Sequence, residues 1–164
     1  MSQLADQFSL IFRNEHRAVR DGLLDLAESF RKRDRATATT LLGHVATLTG
    51  PHFRYEEEEL YPGLRAILGQ KYVGKLYGDH DRVIGSALRL VELVGQEAWS
   101  DTDVEEAIDR VRDMLPHVSD CDGLSIMVER LPDEMVRGIL DARQRCNESG
   151  LDLIRWAQEV RGRS

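Results

Sequence analysis

Residues 51–62 read PHFRYEEEELYP, and this stretch combines a proline, a histidine and a carboxylate one helical turn later. His52 and Glu56 are four residues apart, so on an α-helix their directions differ by about 40° and both can reach one point in the core. Burying such groups without a partner is costly. A core histidine that bonds a glutamate would give the same pair, so the pair alone does not establish a metal site.

Three further helical segments carry a histidine in the middle of an apolar stripe. His16 lies in FRNEHRAV, His80 in YGDHDRVIGSAL and His117 in PHVSDCDG. Each alone is typical of a satisfied core histidine, but four on four helices predict a metal site at the centre of a bundle, as in four-helix di-iron proteins. Imidazole and carboxylate ligands suit iron, zinc or manganese. The fifth histidine, His44, lies about 80° around the helix from His52 and is interpreted as a flanking residue.

Helical periodicity dominates the chain. The spacing predicts long helices over residues 3–33, from Asp34 to about Pro62, over 69–95 and from about Thr102, then a helix after Pro132 and a short one in LDLIRWAQEV. At Gly50-Pro51 we expect a kink or restart, because proline removes an amide donor and collides with the preceding turn. The predicted fold is all-α, with an up-down four-helix bundle in residues 1–130 and a C-terminal helical extension in residues 131–164 packed on it.

His117 is followed by three candidate donors, and the residues alone do not choose between them. On an ideal helix Asp120 lies about 60° away, Cys121 is best aligned, and Asp122 lies about 140° away. A local π-type turn of about 4.4 residues would bring Asp122 to within about 50° of His117. All three therefore remain candidates at this point.

Composition narrows the classes of partner. The 164 residues carry a net charge of −7 with no evident basic patch, so we expect no nucleic-acid partner. No apolar stretch approaches the ~20 residues of a membrane span, and no secretory signal is visible. The two cysteines, Cys121 and Cys146, form no disulfide framework, so a cytoplasmic location is expected.

The chain resembles the hemerythrin-like, or HHE cation-binding, family over about residues 8 to 140. HFRYEEEELYPGL is similar to the family's H-x-x-x-E-E-x-x-L-x-P segment, and EHRAVRDGL and DHDRVIGSAL resemble its first and third ligand helices. HVSDCDG, followed by MVERLPDEM, resembles the last ligand helix and the segment beyond it. The resemblance implies two non-haem iron ions inside a four-helix bundle, joined by two carboxylates and an oxo or hydroxo bridge.

The resemblance also implies a ligand set of one histidine from each helix and two bridging carboxylates: His16, His52, Glu56, His80, His117 and Asp122. By position, His16 and His52 would hold one iron, and His80 and His117 would hold the other. Glu56 and Asp122 would be the bridges, and the resemblance favours Asp122 over Asp120.

One ligand of the oxygen-carrying hemerythrins is replaced in this chain. Those proteins have a further histidine one turn before the position of His80, where this sequence has Leu76. We therefore expect one iron to be open to water or to take a nearby group. Tyr77 is the nearest candidate, with Tyr55 and Tyr72 behind it.

Open iron positions favour reaction or sensing over oxygen carriage. We expect a non-haem di-iron protein that binds O2, peroxide or NO in oxidative or nitrosative stress. No general acid or base beyond the ligands stands out, so the sequence does not assign an enzyme activity. The alternative is a regulatory module in which iron or oxygen binding orders the bundle and the C-terminal helices report this to a partner. Structural zinc ranks last, because such sites prefer four ligands.

The remaining cysteines and the C-terminal stripe have simpler interpretations. The stripe that contains Trp156 is expected to pack on the bundle or to form a homodimer contact. Cys146 lies on this stripe and is interpreted as a small buried hydrophobe. Many members of the hemerythrin-like family have glutamate at the position of Cys121. A thiol beside the irons would be a candidate for oxidation.

Overall fold

The computed structural model describes residues 2–162, and these residues form helices and no strand. Residues 1, 163 and 164, at the outer ends of the two predicted units, lie outside the described residues. The helices in chain order are α1 (Gln3–Arg31), α2 (Arg35–Tyr55), a π-helical segment (Glu56–Leu60), α3 (Tyr61–Leu68), α4 (Gln70–Val94), α5 (Asp101–Asp122), α6 (Leu124–Val128), α7 (Asp133–Ser149) and α8 (Leu153–Glu159).

Four long helices form a closed bundle. Helix α1 packs against α2 and α5, and α4 packs against the same two helices, so each of the four has two neighbours. The predicted all-α four-helix bundle is therefore confirmed. Helix α7 packs on α1 and α2, and α8 packs on α2 and α4. Within residues 2–162, each helix is too short or too polar to cross a membrane.

Local signals in the sequence place the helix ends. The Asp34 side chain accepts the Thr37 amide at 3.1 Å and begins α2, as an N-cap residue does. Ser100 and Asp103 form a reciprocal capping box at the start of α5. Gly150, at φ +66°, ends α7 in the left-handed conformation that favours glycine.

The irregular turn of the second long helix is not where it was predicted. Helix α2 continues across Gly50-Pro51, so the predicted restart is wrong. Both residues are buried, and Gly50 is packed closely against the backbone of residues 151–153, which supports the helix despite the missing amide of Pro51. The irregularity follows at Glu56–Leu60, where the Tyr61 amide donates to the Glu56 carbonyl across five residues. Such π-helical turns frequently occur at functional sites.

The apolar interior consists of two clusters with a layer of histidines between them. On α1, Phe8 and Phe12 belong to one cluster, whereas Val19 and Leu23 belong to the other. His16 lies between these pairs and is itself buried. Trp156 of α8 is buried in the second cluster. Polar groups at the level of His16 are therefore enclosed by hydrocarbon above and below.

Gly50 marks the closest approach of α2 to the C-terminal helices. A Cβ atom at this position would lie 2.5 Å from the carbonyl carbon of Asp152 and 2.7 Å from the amide nitrogen of Leu153. These are backbone atoms, which cannot rotate away as a flexible side chain can. At Gly43, in the same helix, a Cβ atom would meet nothing within 4 Å.

The two glycines of α2 should therefore respond in opposite ways to alanine. We expect Gly50→Ala to lower the free energy of unfolding by about 1–3 kcal/mol through overpacking. Gly43→Ala should raise it by about 0.5–1 kcal/mol, because alanine is the better helix former. Urea unfolding followed by circular dichroism measures both, and equal shifts in one direction would contradict the described packing.

Candidate metal centre

The four histidines predicted from the sequence lie together inside the bundle, one on each long helix. His16 is on α1, His52 on α2, His80 on α4 and His117 on α5, and all four are buried. The ring centroids of His16 and His52 are 4.7 Å apart, as are those of His80 and His117. The histidines therefore form two pairs. His44 is exposed on α2, in line with its interpretation as a flanking residue.

Glu56 lies between the two pairs. Its Oε1 atom is 3.3 Å from His52 Nε2 and 3.4 Å from His80 Nε2, and the residue has no exposed surface. Burial acts to raise the pKa of Glu56, but the charge of His52 and the contact with His80 hold it well below its usual range. An ionised carboxylate therefore touches one histidine of each pair.

Several buried atoms of this cluster that could bind a metal have no hydrogen-bond partner among the described residues. They are Oε1 of Glu56 and both ring nitrogens of His117. Leaving such atoms unpaired costs about 1–3 kcal/mol each, and more for a charged group. Burial and the nearby charge of His80 lower the pKa of His117 to about 4. His117 is thus neutral near pH 7, with a free lone pair, as a metal ligand requires.

The donor atoms fall into two compact groups that share one carboxylate. His16, Glu56 and Cys121 form the first group, and Glu56, His80 and His117 form the second. Within each group the potential ligand atoms lie within 4.8 Å of one another. His52 lies beside the first group, with its Nε2 atom 3.0 Å from His16 Nε2 and 3.3 Å from Glu56 Oε1. The residues fit two adjacent metal ions better than one.

Each histidine also has a carboxylate near its other ring nitrogen, Nδ1. The four Nδ1-to-oxygen distances are 3.1 Å for His16–Asp122, 2.5 Å for His52–Glu15, 2.7 Å for His80–Glu57 and 3.6 Å for His117–Asp79. Metal-binding histidines commonly have such outer partners, which fix the ring orientation and the tautomer. The Nε2 atom of each ring is therefore left on the side away from its outer carboxylate.

Two arginines from the C-terminal helical region bind two of these outer carboxylates. Arg143 of α7 donates to Glu15, and Arg161, beyond α8, donates to Glu57 at 2.9 Å. Burial acts to raise the pKa of Glu15, but His52 and Arg143 together lower it to about 2. Sequence reasoning missed all four residues of these two pairs, because their partners are far apart in the chain and follow no helical period.

The predicted ligand Asp122 does not join either donor group. Its Oδ1 atom accepts from Nδ1 of His16, and its side chain is 44% exposed. Asp120 is also at the surface, near Lys75. Helix α5 is regular to its end at Asp122, so the π-type turn that would bring Asp122 inward is not formed. Cys121, the residue best aligned with His117, faces the cluster instead.

The phenol nearest to the cluster is Tyr61, which sequence reasoning did not single out. Its hydroxyl lies 3.1 Å from His80 Nε2 and 3.4 Å from Cys121 Sγ. Burial, with the nearby Cys121 and Glu56, raises the pKa of Tyr61 well above its usual range. Tyr61 follows Glu56 by five residues, a spacing that shares a face only on a π-helical turn. On a regular α-helix Tyr61 would face away from the cluster, and the sequence alone therefore did not indicate it.

The tyrosines predicted from the sequence are engaged outside the two donor groups. The Tyr77 hydroxyl donates to the Glu57 carbonyl at 2.9 Å. The Tyr55 hydroxyl donates to Glu15 at 2.8 Å and lies 3.2 Å from Nδ1 of His52, on the outer side of that ring. Tyr72 is exposed, and Leu76 is packed in an apolar cluster. Tyr77 is therefore directed to the main chain rather than toward the histidines.

Comparison with known proteins agrees with this geometry. The family model described as the hemerythrin HHE cation binding domain matches residues 9–120, a range that contains Glu56 and all four clustered histidines. No curated protein and no solved structure gave a match. The chain therefore belongs to the hemerythrin HHE cation-binding domain family.

Proposed function

We propose that this chain is a non-haem di-iron protein that binds O2, peroxide or NO in oxidative or nitrosative stress. His16 and His52 would hold one iron, and His80 and His117 would hold the other. Glu56 would contact both ions. The observation that carries the proposal is the pair of buried donor groups with Glu56 in common.

The chemistry of the donors favours iron over structural zinc. Imidazoles and a carboxylate suit iron, zinc or manganese. Structural zinc sites close with four ligands, whereas this cluster has four histidines, a shared carboxylate and further donors beside them. Iron, when bound, would supply the one-electron and O2 chemistry that protein side chains lack. The outer carboxylates would hold the imidazoles in place for it.

A small apolar cavity beside the histidines supports the proposal that the ligand is a small molecule. The cavity measures about 30 Å³, enough for one or two water-sized molecules. His16, His52 and His117 form its polar edge, and the rest of its wall is almost entirely apolar, including Val45 and Ala46. Such a space suits O2, NO or hydrogen peroxide and excludes larger substrates.

A regulatory module is the second candidate function, and the two arginines favour it. Arg143 and Arg161 extend from the C-terminal helical region to carboxylates that bond His52 and His80. A change in the charge or position of those histidines would therefore alter the attachment of this region. Metal-linked ordering of the bundle could reach a partner by this route.

The first test is metal content after expression in iron-replete medium. We expect about two irons per chain by elemental analysis. Glu56→Gln should lose most of both, because Glu56 is common to the two groups, whereas His44→Ala in the same helical stretch should keep both. One zinc per chain, or no metal, would overturn the di-iron proposal.

A second test addresses the cavity. Ala46→Leu should fill part of it and slow NO association several-fold in stopped-flow experiments, with the iron content unchanged. Gly43→Ala is the matched control, because the added methyl meets no neighbour. Equal NO association rates in wild type and Ala46→Leu would show that ligands reach the irons by another path.

A third test separates the regulatory candidate from simple binding. Iron should protect residues 131–162 from proteolysis, and Arg161→Gln should remove much of that protection and weaken iron binding up to about tenfold. Arg155→Gln is the control, because Arg155 is exposed and pairs only with Glu159 among the ion pairs of the described residues. Identical digestion of the iron-free and iron-loaded protein would count against a regulatory role.

A further inference from the structure

Cys121 occupies the inward position that follows His117 on α5. Helix α5 is α-helical from Asp101 to Asp122, so a residue four positions after His117 lies on the same face. Cys121 accordingly has no exposed surface. Asp122 is turned by about 100° from it and reaches solvent.

The sulfur atom of Cys121 is in direct contact with the cluster. The thiol donates to Glu56 Oε2 at 2.6 Å, and Cys121 belongs to the donor group of His16 and Glu56. The other carboxylate oxygen of Glu56 is buried without a hydrogen-bond partner, and so are both nitrogens of His117. The unpaired Oε1 atom belongs to the same carboxylate that the Cys121 thiol contacts, which is independent evidence of a missing ligand beside Cys121.

Asp122 is already engaged in a way that opposes direct ligation. It bonds Nδ1 of His16, whereas Nε2 of the same ring faces His52. Asp122 is therefore on the outer side of the imidazole, where a carboxylate orients a ligand rather than acting as one. To reach the cluster it would have to give up this bond and unwind the end of α5.

We propose that Cys121 is a thiolate ligand of the metal held by His16 and His52, and that Asp122 orients His16 from outside. When the metal binds, the S–H bond breaks, a sulfur–metal bond forms and the proton is released to water, since the thiolate is the form that ligates. The site is then a mixed nitrogen, oxygen and sulfur site rather than a purely histidine and carboxylate one. This inference rests on the proposed function, because it requires a metal in the cluster.

The experiment is a titration of the metal-free full chain with Co²⁺, followed by optical absorption and elemental analysis. Wild-type protein should develop a near-ultraviolet sulfur-to-cobalt charge-transfer band that saturates with the bound metal. The measurement on wild type does not depend on the folding of any variant. Cys121→Ser should lose the band. Its affinity for the metal of the first group should fall by more than the about 10- to 100-fold that loss of an outer partner costs.

Two variants serve as controls. Cys146→Ser removes the other buried cysteine, whose sulfur lies near Glu58 rather than near the histidines, and it should keep the band. Asp122→Asn should also keep the band and the cobalt stoichiometry, with affinity lowered only to the extent expected of an outer partner.

The outcomes distinguish this inference from the proposed function. Wild type that binds cobalt without a sulfur band, or a band that survives in Cys121→Ser, overturns thiolate ligation and leaves the metal centre standing. Loss of a bound metal in Asp122→Asn alone makes Asp122 the ligand and also overturns it. Wild type that binds neither cobalt nor iron overturns the proposed function, and the inference with it.

Discussion

A carboxylate without access to solvent, Glu56, lies where the four long helices meet. Removing an ionised carboxylate from water costs several kcal/mol unless opposite charge and hydrogen bonds compensate. Histidines from two helices and the Cys121 thiol contact it directly, yet Oε1 still lacks a hydrogen bond. The helices must therefore present polar side chains at one level of an otherwise apolar interior, and this level separates the two hydrophobic clusters.

Charges of alternating sign surround that carboxylate. Glu56 is followed outward by His52 and His80, then by the carboxylates of Glu15 and Glu57, and finally by Arg143 and Arg161. Each set of charges offsets the desolvation cost of the set inside it, since the interaction between buried charges is weakly screened. The C-terminal region is thus electrically part of the centre, and the apolar packing of Trp156 holds it in position.

The helices, the four clustered histidines and Glu56 could be predicted from the sequence, because all of them follow the 3.6-residue period of the α-helix. The predicted helix start at Asp34 is a local signal, and His52 with Glu56 is a same-face pair. The π-helical turn at Glu56–Leu60 was missed because no local signal predicts it. The position of Tyr61 beside the cluster was missed as well, because it depends on this turn. The Glu15–Arg143 and Glu57–Arg161 pairs join residues 128 and 104 positions apart, and no helical period extends across such separations.

The attachment of Arg161 has a consequence for biosynthesis. Its partner Glu57 precedes it by 104 residues, a distance that a ribosome covers in roughly 5–20 s at typical rates of elongation. All four histidines and Glu57 leave the ribosome before Arg161 does. A nascent chain can therefore bring its histidines together while one outer carboxylate still lacks its counter-charge, and this ion pair can form only after Arg161 has been added.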